Sequence, residues 1–337
     1  MRSARLGGVA HYLPANHLGY EELAAEHPDW DVAKLSRTLG IKQLPRAGEG
    51  EFASHLASLA AENLFDAYGL DRSTVDFVIL VTQNPDFPLP TTSCLVQDAL
   101  GLSRSVGALD VRLGCSGYVY ALGLAKGLIE SAQATRILLM TADTMSKMVN
   151  RDDKATAPVF GDAGTATLVE ADPDARPGIG PLIYGTDGKG AGALVVPNGS
   201  LRPGTSLNSA SSTESRGLHP QGYDLYMDGG AVFGFTLDVV PPLVQSTLAR
   251  SGWEKDDVDL FVFHQANRFM IEHLRKRLHI PEERFWVNME AVGNTGGSSI
   301  PLALSQAVQA GRLAQGDRVV LAGFGVGLSW AGAALTW

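Results

Sequence analysis

Apolar runs of strand type and segments of helical spacing alternate along this chain, and they do so twice in the same order. Residues 106–113 form a strand-like run that passes through Gly114 into a small-residue helical pattern reaching about residue 131, and a second apolar strand follows over 136–140. Further on, a strand over 260–263 leads into helical spacing over 268–278, and a helix over 299–310 leads into a strand over 318–322. The strand openings also match, since Val75-Asp76-Phe77-Val78-Ile79-Leu80 resembles Val258-Asp259-Leu260-Phe261-Val262-Phe263, each after a polar turn. Such repetition predicts an α/β protein of two similar halves, each burying a sheet against helices. The expected halves are residues 1–175 and 223–337, joined by an excursion over 176–222 whose part from residue 185 on is rich in Gly, Ser, Asn and Pro. Loops of that length are usually functional covers or linkers. In this register Cys115 and Asn294 fall at corresponding strand-to-helix turns.

With 337 residues and 45% hydrophobic content the chain can bury a large core. No run approaches the eighteen or so apolar residues of a membrane span, and residues 1–13 carry no secretory cleavage pattern, so a cytoplasmic protein without membrane contact is expected. A formal charge of -9 disfavours nucleic acid as a partner, although a local basic patch would still suit an acidic one. The two cysteines, Cys94 and Cys115, provide neither a disulfide framework nor the paired spacing of a zinc site; Cys94 reads as a core thiol and no metal is expected.

Cys115 is the first candidate for chemistry. A thiol in the first turn of a helix faces unsatisfied backbone N–H groups and the positive end of the helix dipole. A field worth about 0.3–2 kcal/mol would lower such a thiol from about 8.5 to roughly 7–8 and make much of it nucleophilic near neutrality. Taken alone, such a cysteine is more often a small buried hydrophobe. His264 ends the strand 260–263, where α/β proteins commonly place ligands, although a lone histidine there is more often structural. Asn294 lies in Gly293-Asn294-Thr295-Gly296-Gly297-Ser298-Ser299, a loop so poor in bulk that its backbone can approach a ligand closely; a helix N-cap is the plain alternative. Gly323-Phe324-Gly325-Val326-Gly327 follows a buried strand and can offer N–H groups to a developing negative charge, without the spacing of a dinucleotide or phosphate loop.

Taken together these segments resemble the β-ketoacyl-acyl carrier protein synthase III family of thiolase-fold condensing enzymes over nearly the whole chain. The matching runs are Asp110-Val111-Arg112-Leu113-Gly114-Cys115-Ser116-Gly117, His264-Gln265-Ala266-Asn267, Gly293-Asn294-Thr295 and Phe324-Gly325-Val326-Gly327-Leu328-Ser329-Trp330, with Phe160-Gly161-Asp162-Ala163-Gly164 and Met227-Asp228-Gly229 beside them. The Cys-His-Asn set distinguishes this family from the elongating condensing enzymes, which use two histidines. The resemblance implies a five-layer αβαβα arrangement, a homodimer, and a two-stage reaction without metal or redox cofactor. Cys115 would take an acyl group from acyl-CoA, with the N–H groups of Cys115 and Gly327 stabilising the oxyanion. A malonyl thioester, carried by an acyl carrier protein, would then lose carbon dioxide, and His264 and Asn294 would hydrogen-bond the enolate oxygen.

By the same resemblance Trp30, Arg37, Lys154 and Asn267 are expected to bind CoA, and Leu89 to reach into the partner subunit's acyl pocket. Lys154 stands where an Arg is frequent, which weakens flat stacking. Two basic carrier-docking positions of relatives are Gly234 and Phe269 here, so a shifted patch of Arg268, Arg275 and Lys276, with Arg277, is expected to take over. A charged helix face is otherwise simply solvated. Three rival readings carry different consequences. A cysteine peptidase uses Cys, His and Asn in the same chain order, but the repeated α/β halves argue against it. Acyl transfer to an alcohol or amine would not need Asn294, and a non-catalytic subunit would not need Cys115 and His264.

Overall fold

The computed structural model describes residues 2–174, 178–197 and 224–337. The first half runs β1 (Ser3–Tyr12), β2 (His17–Gly19), α1 (Tyr20–Glu26), α2 (Val32–Leu39), β3 (Gln43–Pro45), α3 (Ala53–Tyr68), β4 (Phe77–Val81), α4 (Thr92–Ala99), β5 (Gly107–Val111), α5 (Gly117–Glu130), β6 (Arg136–Asp143) and β7 (Ala163–Asp172). The second runs β8 (Ile179–Thr186), the short pair β9 (Leu194–Val195) and β10 (Tyr226–Met227), α6 (Gly229–Ser251), β11 (Leu260–Phe263), α7 (Arg268–Arg277), α8 (Ser299–Gln309), β12 (Arg318–Gly325) and β13 (Ser329–Thr336).

The duplication seen in the sequence is a duplication of sheet topology. One sheet has the order β1-β7-β6-β4-β5, and the other β8-β13-β12-β11, with Phe285 forming a parallel bridge to Phe261 beyond β11 where the first sheet has β5. In both, the first two pairings are antiparallel and those that follow are parallel. The matching aspartates do matching work. Asp76 accepts from the N–H of Arg136 at 3.1 Å and Asp259 from that of Arg318 at 2.8 Å, each tying the start of one strand to its parallel neighbour.

Strand alternation sends successive side chains to opposite faces, and the layers follow from it. On β4, Val78 and Leu80 pack under α3 and α4, while Ile79 and Val81 pack against α5 and α8. On β11, Leu260 and Val262 join the same central cluster, while Phe261 and Phe263 face the cluster built with α6 and α7. The order is therefore helices, sheet, the central pair α5 and α8, sheet, helices.

Three expectations are corrected. Residues 179–186, expected inside the inter-half excursion, form β8, which pairs antiparallel with β13 and is the counterpart of β1. Gly178, Gly180, Pro181 and Gly185 break its apolar pattern, so only its sheet partner reveals it. Residues 198–222 of that excursion lie outside the described residues. β6 continues to Asp143 because its last polar side chains are paired: the Thr141 hydroxyl lies 2.6 Å from that of Thr165 and donates to that of Ser298 at 2.8 Å. Finally, α6 is by length and composition apolar enough to cross a membrane, where no such run was expected. It packs on β12 and β13, with Val232, Thr236, Val240, Leu243 and Thr247 recurring at helical spacing on its buried face.

Candidate active site

Cys115 follows β5 and precedes Ser116, the N-cap of α5, so it stands just outside the first helical turn. The residue is 5% exposed and lines a cavity of about 350 Å³ with Gly114, Val326 and Gly327. An added Cβ on Gly325 would lie 2.7 Å from the Cys115 sulfur, so only glycine leaves room for the thiol there. Among the described residues neither the N–H of Cys115 nor that of Gly327 donates to a carbonyl, and Gly327 has a φ of +136°, which favours glycine. The thiolate expectation is corrected by burial, which pushes the Cys115 thiol up to about 11. The Val326 backbone hydrogen bond opposes that rise and the Asp143 charge adds to it. Desolvation outweighs the dipole, and the resting form is the thiol.

His264 ends β11, is 2% exposed, and meets the Phe324 ring edge-on at 5.6 Å. Its Nδ1 lies 2.6 Å from the Ser299 hydroxyl. The Gln265 N–H donates to that same hydroxyl oxygen at 3.4 Å, an arrangement that suits a Ser299 proton given to Nδ1 and a ring tautomer protonated on Nε2. Burial lowers the imidazole to about 3, which keeps it neutral. Asn294 is 6% exposed and is held by its backbone, donating to the Val159 carbonyl at 2.8 Å and accepting from the Gly161 N–H at 3.1 Å. Its Oδ1 accepts from Gly296 at 3.0 Å, so the side chain closes its own turn and Nδ2 makes no hydrogen bond among the described residues.

These groups meet through neighbours. Phe324, against His264, is flanked by Gly323 and Gly325, which abut Cys115, while Phe160 and Gly296 line the cavity on the Asn294 side. Sequence reasoning missed Asp143, which is fully buried; burial pushes its carboxyl up to about 6 against the hydrogen bonds of Gln83, Gly297 and Thr82. Ser299 was missed too. The only signal for it was a hydroxyl at the start of a helix.

The remaining expected residues divide. Lys154 sits 6.0 Å over the Trp30 ring and lines a cavity of about 340 Å³ with Asp31, Lys34, Leu35 and Thr38. The ring also stacks on His27, with centroids 3.9 Å apart. Arg37 is exposed in the last turn of α2 and does not line that cavity, and Asn267 spends its side-chain oxygen capping α7 through Met270 at 2.8 Å. Leu89 is 85% exposed and does not line the cavity of its own chain. On α7, Arg268 and Lys276 are exposed, but Arg275 is bound to Glu272 at 2.9 Å and to the Ile280 carbonyl at 3.1 Å, so it is not the free cation expected. Phe269 is 56% exposed and packs on Phe233. Cys94, expected in the core, is exposed beside the Thr91 hydroxyl.

Two duplicated α/β halves around a central helix pair, with a buried cysteine where a strand of one half meets its helix, define a thiolase-like fold. Sequence models described as 3-oxoacyl-[acyl-carrier-protein] synthase III and as the C-terminal part of that enzyme match residues 109–188 and 248–337. A Streptomyces coelicolor protein named beta-ketoacyl-[acyl-carrier-protein] synthase III 3 is 38% identical over 100% of this chain and 98% of its own length. A crystal structure of a 3-oxoacyl-(acyl-carrier-protein) synthase III superposes with a TM-score of 0.93 at 44% identity, covering 99% of this chain and 100% of the other. A priming β-ketosynthase from the R1128 polyketide pathway superposes with a TM-score of 0.86 at 29% identity, covering 99% of this chain and 96% of the other. The chain belongs to the 3-oxoacyl-[acyl-carrier-protein] synthase III family of condensing enzymes.

Proposed function

We propose that this enzyme loads an acyl group from acyl-CoA onto Cys115 and condenses it with a malonyl thioester on an acyl carrier protein, in fatty acid or polyketide biosynthesis. The observation that carries the reading is the Cys115 thiol at the cavity, beside the N–H groups of Cys115 and Gly327, which donate to no carbonyl among the described residues. In the first stage the sulfur bonds to the thioester carbon, the C–S bond to CoA breaks, and the thiol proton leaves with CoA. Each well-placed oxyanion donor contributes roughly 3 kcal/mol to that step. In the second, the malonyl carboxylate leaves as carbon dioxide, the resulting enolate carbon attacks the acyl carbon, the bond from that carbon to the Cys115 sulfur breaks, and the released thiolate takes a proton from water to restore the thiol. A neutral His264 with its proton on Nε2 and the Nδ2 of Asn294 are both donors, suited to an oxygen that becomes an enolate.

Trp30 and Lys154 are the better supported contacts for CoA, Arg37 and Asn267 the weaker. Exposed Phe87 and Leu89, at 54% and 85%, support a homodimer in which this loop is covered by a second copy. Cytoplasmic location belongs to the same proposal. Intact-protein mass spectrometry against an acyl-CoA panel, followed by labelled malonyl carrier, tests it. One acyl mass on the parent, none on Cys115→Ala, and carbon dioxide release on adding the malonyl donor are expected. An acyl adduct on Cys94 sinks the assignment, and turnover without carbon dioxide moves the reaction to simple acyl transfer.

A further inference from the structure

The two strands that end beneath the site are equivalent by duplication. β6 begins at Arg136 and ends at Asp143, and β12 begins at Arg318 and ends at Gly325, so Asp143 and Gly325 are counterparts. Each supports the turn of the opposite half. Gly325 abuts Cys115, and Asp143 abuts the turn that follows Asn294: a Cβ on Gly296 would lie 2.9 Å from its Oδ2. Where the cysteine side needs room, the asparagine side is filled by a carboxylate.

That carboxylate accepts from two segments at once. Its Oδ1 takes the Gln83 N–H at 2.7 Å and the Thr82 hydroxyl at 3.2 Å, and its Oδ2 takes the Gln83 side-chain amide at 3.2 Å and the Gly297 N–H at 3.3 Å. Gln83 in turn packs against Gly114, the residue before Cys115, where a Cβ would meet its Oε1. No ion pair reaches Asp143 among the described residues, and the titratable group it faces is the Cys115 thiol. A carboxylate held dry by four donors is expensive to keep for packing alone, because an apolar side chain would fill the same space without desolvating a charge.

We propose that Asp143 is a positioning residue: its carboxylate locks the Gly296–Gly297 turn beneath Asn294 to the Thr82–Gln83 segment that supports the Cys115 loop, fixing Asn294 for the malonyl half-reaction. The inference rests on the condensing reaction proposed above. Loading needs only Cys115 and its oxyanion donors, whereas condensation needs Asn294 in register with them. Losing the lock therefore separates the two half-reactions.

The test compares, for each variant, the rate of acyl loading on Cys115 with the rate of carbon dioxide release from the malonyl donor. Asp143→Asn keeps the size but places an amide group where one of the donors points. It is expected to load within about threefold of the parent and to release carbon dioxide at least tenfold more slowly. Thr82→Val removes one donor, lies outside the cavity lining, and is expected to lower the release-to-loading ratio about threefold, which keeps the inference testable if Asp143→Asn does not fold. A ratio unchanged in both variants, or in Thr82→Val alone when the other is unfolded, overturns it. So does an equal loss of both half-reactions in folded Asp143→Asn. A parent protein that neither loads nor releases carbon dioxide overturns the condensing reading instead.

Discussion

Replacing Gly325 with alanine adds one methyl group against the cysteine. Its Cβ would fall 2.7 Å from the Cys115 sulfur and 2.8 Å from the Cys115 Cβ. Non-bonded carbon contacts sit near 3.5–4.0 Å, so the overlap is about 1 Å. Relief comes from a rotation of the thiol or a shift of the β12 end, and either moves the sulfur relative to the Val326 and Gly327 backbone. A misplacement of about 1 Å costs on the order of a hundredfold in rate, close to 2.7 kcal/mol of barrier, and overpacking a filled site costs roughly 1–3 kcal/mol of stability. Loading of an acyl mass on Cys115, followed in time by intact-protein mass spectrometry, should therefore slow about a hundredfold in Gly325→Ala, with a modest fall in melting temperature. Gly127→Ala, at an exposed helical position with nothing within 4 Å of the new Cβ, is the control and should keep loading intact. Parental loading by Gly325→Ala would show that the sulfur has freedom this packing denies it.

Other consequences can be measured on the same preparation. Alkylation of Cys115 by iodoacetamide should rise with pH to an apparent pKa far above the usual 8.5, because burial raises the thiol; a midpoint near 7 would restore the dipole-activated thiolate. Ser299→Ala removes the hydroxyl hydrogen-bonded to His264 Nδ1 and should slow carbon dioxide release about tenfold or more while sparing loading, whereas equal losses would give Ser299 a general structural role. Because Asp143 has a carboxyl raised to about 6, it is ionised above that value and protonated below it. The ratio of condensation to loading should hold above pH 6 and fall beneath it, and a ratio flat to pH 5 would contradict a working carboxylate. Charge reversal at Arg268 and Lys276 should raise the apparent KM for carrier-bound malonate in a salt-sensitive way; reversal at Arg275 should chiefly lower stability, since that side chain is tied to Glu272 and Ile280.

Strands and helices around Cys115 and Asn294 were legible because their periods are strong and occur twice, so the two turns could be aligned within one sequence. What burial decides was not legible. The thiol's state depends on how completely the second half seals over the first, a quantity no local pattern carries. Asp143 looks in sequence like the polar end of an apolar run, and its donors come from residues 60 and 154 positions away. β8 was hidden because its half-exposed residues alternate with glycines and a proline, and Arg275 because a basic helix face does not disclose which cation is already spoken for.

The exchange of supports between the halves, with Gly325 of one beneath Cys115 and Asp143 of the other beneath Asn294, makes the site a joint product. Neither half holds a complete constellation, and neither can shed its partner without opening the face on which α5 and α8 are buried. A duplicated ancestor would have had two equivalent turns, each resting on the other's strand. Once one strand end became glycine and the other aspartate, the turns could no longer exchange duties. Asymmetry at two positions below the surface thus separates the two turns: one strand end leaves space for a sulfur, and the other fills the same place with a carboxylate that binds its turn.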